Sequence, residues 1–498
     1  MTQPTSSASL PNDPHKETLF TQLMHLPRPY WMVNIMEMFE RLAYYGVRVV
    51  IPIYIAQADE PGGLHFSQTE KGIIFAWWAL VQSLVPMFTG GFADRYGYKK
   101  TIAFSVAIKV IGYLLMATQR EFWPFLFGCL ILALGTATFK PGVQGTMCQS
   151  LSTRNSSVGW GMFYMLVNVG GFLGPPLAHF LYGWSWAAVF YGCAVIVSLN
   201  FLMLFTYKEV PAGGDQSGGV WKIAKLTAKN LVQIKDDGIL LTRLSIFVLI
   251  MSGFWLMFNQ LFDMLPNFIV DWVDSSSLVR MLHLPNFMLD LNSDRAPQLS
   301  QEWMINFNSG LIILTVVLVS WWVNRMRRVT SITLGIIVGS LGLVFAGFTT
   351  SGVLCMLGIL VFSVGEMLAS PKMQDYLGVI APEGQKGLYM GYANIPNAIG
   401  WFIGSYVAGT VYDKMGDKAN LAIRYLADNH NVINVNRPVA FQKLQEITGL
   451  NPQDATNLLW NAYDPYELWY IFAIIGIVSA IAMVLFSVWV KKLEAPDV

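Results

Sequence analysis

The sequence predicts an all-α membrane protein with twelve transmembrane helices arranged as two six-helix bundles. Three observations predict it. The 498 residues are 54% hydrophobic and only 13% charged, too little polar surface to cover a water-soluble body of this size. Apolar runs of roughly 20 residues or more recur along the chain, each long enough to cross a hydrocarbon core of about 30 Å as a helix. These runs fall into two sets of six, separated by one polar stretch. A transmembrane β-barrel is excluded, because it needs alternating segments of about 10 residues.

The elements follow in order. A cytoplasmic tail, 1–28, carries Pro, Ser and Thr without an apolar core, so it does not read as a cleaved signal peptide. The first bundle, 29–207, has spans at approximately Pro29–Gln57, Gln68–Ala93, Thr101–Ala117, Trp123–Cys148, Val158–Tyr182 and Trp186–Tyr207. A basic cytoplasmic linker, 208–240, opens with "KEVPAGGDQSGG" and has no span of its own. The second bundle, 241–490, has spans at approximately Leu241–Val270, Trp303–Val323, Ile332–Phe348, Val353–Ile380, Leu388–Tyr412 and Leu468–Val490. Two long outer loops interrupt it, 271–302 and 413–467. The second contains "PVAFQKLQEITGLNPQDATNLLWNAY", whose helical apolar spacing predicts small surface helices forming a packed cap. A cytoplasmic tail, 491–498, ends the chain.

Loop charge sets the orientation. With both termini inside, 18 Lys and Arg fall in cytoplasmic segments and 8 in outer ones, most of the latter in the long 413–467 loop that counts least. Both ends are therefore expected to be cytoplasmic, in a multi-pass protein of the cell membrane. Cys129, Cys148, Cys193 and Cys355 lie in apolar segments without paired spacing and read as small packing residues. The six histidines are scattered, with no metal-like spacing. No Gly-rich phosphate loop supports ATP-driven work, so an enzyme or pump is disfavoured and no cofactor is expected. Nothing points to nucleic acid; lipid is the expected surroundings.

The first span, "EMFERLAYYGVRVV", breaks the apolar pattern. At about 100° per residue, Glu37, Glu40, Arg41, Tyr44 and Arg48 fall within an arc of roughly 100°, with Tyr45 at its edge. An ionised side chain at membrane depth normally faces the bundle interior or a watery cavity and finds partners there. A helix rises about 1.5 Å per residue, so Lys140 in span four can reach the level of Glu37. Asn168 lies a little deeper in span five, and Glu366 near the middle of span ten, facing the basic first half across a central cavity.

Two resemblances carry more. Six spans, a basic linker and six more spans is the layout of a major facilitator transporter. The "GGFADRYGYKK" loop after span two resembles that superfamily's inner-loop motif, with Asp94 and Arg95 as a charge lock on the inner gate. "EMFERLAYYG" resembles the E-x-x-E-R-F-x-Y-Y-G signature of the proton-dependent oligopeptide transporter family. "FKP" at Lys140, "FYMLVNVG" at Asn168 and "GEMLASP" at Glu366 resemble its motifs in spans four, five and ten.

The resemblance implies proton symport of di- or tripeptides, or of similar small zwitterions, by alternating access. It assigns proton coupling to Glu37, Glu40, Arg41 and Lys140. It assigns substrate contacts to Tyr44, Tyr45, Arg48, Lys140 and Asn168, with Glu366 receiving the peptide ammonium. The physics agrees: a zwitterion needs a fixed cation and a fixed anion, and coupling needs a carboxylate whose cationic neighbour can be engaged elsewhere.

The match breaks in places. Leu42 replaces the signature Phe. "FWLMFNQLFD" puts Asn259 where the family usually has Glu, leaving Asn259 as an expected substrate-binding residue and Asp263, one turn on, as the stand-in for that Glu or as a plain boundary carboxylate. The expected Trp of span eleven is replaced by Tyr392 or Ala393. Lys372 and Asp375 form an inner gate pair or a simple anchor with its counter-ion. A non-peptide substrate, uncoupled transport, or a transporter-derived receptor or adaptor are the alternatives.

Overall fold

The structure, a computed structural model, describes residues 23–152, 156–211, 238–290, 293, 295–323, 326–380 and 392–494. Twelve helical spans run through it. The first six are Arg28–Ala56, Gln68–Leu84 continued by Pro86–Tyr96, Tyr98–Thr118, Phe122–Ser150, Ser156–Tyr182 and Trp186–Leu204. The second six are Gly238–Phe258 continued by Gln260–Asp263 and Leu265–Trp272, then Gln301–Val323, Arg328–Gly347, Gly352–Ile380, Asn394–Met415 and Leu468–Glu494. Eight of the helices are long and apolar enough to cross a membrane by length and composition alone. The first, fifth, eighth and eleventh spans fall outside that set. Most of the 208–240 linker lies outside the described residues.

Small residues set the packing, since helices in lipid gain little by hiding apolar surface and must approach closely to gain dispersion. Spans one and five touch backbone to backbone: a Cβ on Gly174 would fall 2.6 Å from the Gly46 nitrogen and 2.6 Å from the Leu42 carbonyl. Spans nine and ten meet the same way, with a Cβ on Gly365 only 2.3 Å from the Gly339 nitrogen.

Two spans are broken. Pro86 cannot donate to the helix ladder, and span two turns there. Span seven breaks around Asn259 and again at Met264, ahead of Pro266, isolating the single turn Gln260–Asp263. Broken helices at membrane depth are tolerated only where protein or water meets the freed backbone.

The long loops fold at the end of the molecule opposite the termini, here the loop end. Helices Lys418–His430, Ala440–Thr448 and Pro452–Tyr463 bury Leu421, Leu426, Leu444 and Leu459 against the second bundle. Trp272 anchors them, donating from Nε1 to the Gly416 carbonyl at 2.8 Å and packing on Trp460 at 5.8 Å.

Candidate functional site: charges between and within the bundles

Three layers of polar contacts lie along the first span. The outermost closes the loop end across the two bundles. Gln57 donates to Asp271 at 2.9 Å, Lys71 to Asn267 Oδ1 at 2.7 Å, and Gln68 Nε2 to Asp417 at 3.0 Å. Arg437, from the loop between spans eleven and twelve, reaches back to the Ala56 carbonyl at 2.7 Å and pairs with Asp417 at 2.5 Å. Burial works against its charge, but Asp417 outweighs burial and raises the affinity of the guanidinium for its proton above the ordinary value. Beside it spans two and eleven touch, a Cβ on Gly72 falling 2.6 Å from the Ser405 carbonyl.

The second layer is an ion pair between the bundles. Arg48 of span one binds Asp263, the last residue of the isolated turn in span seven. The pair is almost fully buried, and Asp263 also accepts from Trp401 Nε1 at 3.1 Å and Ser405 Oγ at 2.5 Å. Phe75 and Trp401 stack on the guanidinium, with ring centroids 4.9 and 5.0 Å from Arg48 Cζ. So Arg48, expected among the substrate contacts, is here occupied by a carboxylate of the chain itself. Asn259 is turned to its own helix, donating to the Trp255 carbonyl at 2.8 Å. In span eleven the indole that packs here is Trp401, beyond the Tyr392 and Ala393 positions.

The third layer stays within the first bundle. Arg41 Nε lies 3.1 Å from Glu37 Oε1, and Arg41 Nη2 lies 2.5 Å from Glu40 Oε2. Lys109 of span three donates to Glu40 Oε1 at 2.6 Å. Lys140 is half-buried and acts on Glu37 and Glu40 at longer range from span four. The direct lysine partner of the carboxylates is therefore Lys109, which the sequence reading does not single out.

Below the ion pair, aromatic and polar groups of both halves face one another. Tyr44 and Tyr45 meet edge to face at 5.3 Å, and Gln82 donates to the Tyr44 hydroxyl at 2.9 Å. Glu366 of span ten is half-buried, accepts from Asn308 of span eight at 2.9 Å, and lies within electrostatic reach of Tyr45 and Tyr164 in the opposite bundle. Asn168 donates to the carbonyl of that same Tyr164 at 2.8 Å. The expected gate residues are less cohesive. Asp375 takes Arg328 of span nine at 2.7 Å, closer than Lys372 at 3.8 Å, which ties two helices of one bundle. Arg95 lies over the Tyr96 ring at 5.4 Å, and the Asp94 side chain lies outside the described residues.

The family model of the Major Facilitator Superfamily matches residues 33–405, from the start of span one into span eleven, and so takes in the Arg48–Asp263 pair and the Glu37–Glu40–Arg41–Lys109 network. The chain belongs to the major facilitator superfamily. This facilitator is accordingly a multi-pass integral membrane transporter. Among curated relatives it is 23% identical over 377 residues to the multidrug resistance protein MdtH of Enterobacter sp. (strain 638), covering 75% of this chain and 84% of that one. The MdtH of Klebsiella pneumoniae subsp. pneumoniae is also 23% identical, over 384 residues.

Solved structures share the facilitator's fold more completely. A POT family transporter in complex with 5-aminolevulinic acid superposes with a TM-score of 0.66 at 16% identity, covering 94% of this chain and 97% of that one. A peptide transporter in complex with alafosfalin gives 0.64 at 17% identity, with 94% and 95% covered. A bacterial homologue of the human drug peptide transporters gives 0.63 at 18% identity, with 94% and 99% covered. At 16–18% identity these likenesses show that the fold is shared.

Proposed function

We propose that this facilitator imports di- or tripeptides, or similar small zwitterions, by proton symport through alternating access. One observation carries the reading: fixed cations and a fixed anion sit on opposite bundles, Lys140 beside the Glu37–Arg41–Glu40 network on one and Glu366 with Asn308 on the other. A zwitterion spanning them would give its carboxylate to Lys140 and its ammonium to Glu366, with Tyr44, Tyr45 and Asn168 meeting its amides.

The Arg48–Asp263 pair serves as the latch of the loop end, with Asp263 standing in for the carboxylate that Asn259 lacks. When the bundles part there, Arg48 is freed to take an incoming carboxylate. The excess of basic residues at the other end supports termini on the cytoplasmic side, which makes the loop end the outer one.

The test is uptake of labelled dipeptide by proteoliposomes under an imposed pH gradient. Accumulation against the substrate gradient is expected; Glu37→Gln should abolish it while leaving substrate exchange without a gradient, and Lys140→Ala, which also removes the substrate's carboxylate partner, should abolish accumulation and weaken exchange. Undiminished accumulation in both variants would remove the coupling assignment. Proton-driven extrusion of a lipophilic cation, with no peptide uptake, would favour an exporter instead.

A further inference from the structure

Lys109 has no place in the roles assigned above, yet the structure builds a site around it. It is 1% exposed in the middle of span three. Its ammonium donates to Glu40 at 2.6 Å and lies 3.9 Å from the centroid of the Phe139 ring on span four. Span four makes room for the stem: a Cβ on Gly135 would fall 2.6 Å from Lys109 Cγ. A cation this deep is sustained only by a partner.

The two carboxylates of the signature are thereby made unequal. Glu40 holds a hydrogen-bonded ammonium on one oxygen and the Arg41 guanidinium at 2.5 Å from the other. Glu37 holds only Arg41, at 3.1 Å from Oε1; Oε2 of both carboxylates is buried without a well-formed hydrogen bond, but only that of Glu40 has a cation against it, Arg41 Nη2. The other groups facing them are Tyr44 on the same span, Tyr113 on span three and Lys140 on span four. Span five sets Gly170 against Met38 and Arg41, and span six sets Asn200 against the Met36 carbonyl; among the described residues neither brings a charge to the pair.

We propose that Lys109 is a positioning residue that keeps Glu40 a standing anion, so that Glu37 alone of the two carboxylates takes and returns the coupling proton. The proposal rests on the proton-coupled reading above. A proton arriving at Glu40 would strand the Lys109 ammonium inside a span. A proton arriving at Glu37 Oε2 lands on an atom with no partner and leaves Arg41 and Lys109 both paired to Glu40. It also lowers the negative charge acting on Lys140, which becomes free for a substrate carboxylate.

Infrared difference spectroscopy of the purified protein during a pH titration reads carboxyl protonation without transport. In the wild type, a titrating carboxylic acid band should vanish with Glu37→Gln, and none should vanish with Glu40→Gln. Lys109→Met should add a second band that Lys109→Met/Glu40→Gln removes, whereas Lys109→Arg should not. A wild-type band that depends on Glu40, or no added band in a monodisperse Lys109→Met protein, overturns the proposal. If Lys109→Met does not fold, the wild-type, Glu37→Gln and Glu40→Gln spectra decide it alone. Absence of proton-driven uptake with a Glu37-dependent band would sink the transport reading while leaving the Lys109 assignment standing.

Discussion

The first span carries two buried ionic groupings, and they are built for opposite purposes. Arg48 pairs with Asp263 across the bundles, on a turn isolated by two helix breaks. Arg41, Glu37, Glu40 and Lys109 pair within one bundle, on unbroken helices that also share glycine contacts. In the alternating access proposed above one bundle moves against the other, so the first grouping would open in every cycle and the second would not have to. The alternatives open to each side differ accordingly. When the latch parts, Asp263 keeps Trp401 and Ser405 of its own bundle, and Arg48 keeps the Phe75 ring of its own; neither ion is left bare. Within the bundle Lys109 has the Phe139 ring beside it, but its one counter-ion contact is Glu40 among the described residues.

The largest effect should come from breaking the moving pair on one side only. Asp263→Asn leaves Arg48 buried without a counter-ion, and removing one member of a buried pair costs about 3–5 kcal/mol. That cost falls on the closed loop end alone, so the loop end should open. A cysteine placed at Gln57 should become reactive to a water-soluble thiol reagent in Asp263→Asn and stay protected in the parent, and transport should fall at least tenfold. Unchanged protection would show that the outermost layer seals that end without the latch.

A second disruption tests the seal itself. Gly72 lies against span eleven so tightly that Gly72→Leu must push the two bundles apart, since even a Cβ would meet the Ser405 carbonyl at 2.6 Å and Gly409 Cα at 3.0 Å. The same cysteine assay should report opening, with transport reduced severalfold while the protein still binds substrate in a thermal-shift assay. Protection equal to the parent would mean that this contact is no part of the gate.

The difference between the groupings also explains what could be read from sequence. Spans, their number and the charged face of span one were legible, because periodicity and apolar length are local properties. The partners were not. Glu40 and Lys109 are 69 positions apart, Arg48 and Asp263 215, and the Arg437 clamp reaches 381 positions to Ala56. A single lysine in an apolar run such as "TIAFSVAIKVIGYLL" carries no mark of its partner, although its cost at that depth is itself a signal. Asp263 was legible only as one of two readings, since nothing local says that span seven breaks on both sides of it. Asn308 was missed because an Asn in an apolar helix looks like packing until Glu366 is set beside it at 2.9 Å.

Glu366 gives a smaller and more selective prediction. Its hydrogen bond from Asn308 orients the carboxylate, and a charge-assisted bond to a substrate ammonium is worth about 1.5–3 kcal/mol. Glu366→Ala should therefore weaken a free dipeptide by roughly tenfold to a hundredfold, by the same conversion. N-acylated dipeptides, which lack the ammonium, should lose much less. Equal losses for both would take the amine-binding role away from Glu366.

The smallest expected effect concerns a carboxyl outside the spans, beside the seal rather than in it. Glu60 follows the first span and is buried, accepting from the Tyr182 hydroxyl at 2.6 Å and Trp186 Nε1 at 3.0 Å. Burial outweighs those bonds and pushes its carboxyl from the ordinary 4.5 up to about 7. The folded chain then keeps a proton that the unfolded chain gives up, so this contribution to stability is full below about 4.5 and is lost as pH rises through about 7. Asp274, held below its ordinary 3.8 mainly by the Ser276 amide against the effect of burial, works in the other direction and in a lower window, where stability falls with acid. The two are separable by pH alone. Glu60→Gln should flatten the decline in apparent Tm across the upper window by roughly a few degrees and leave the acid limb in place. A decline that persists unchanged in Glu60→Gln would move the titration to another group at the loop end, with buried Asp271 the first to replace.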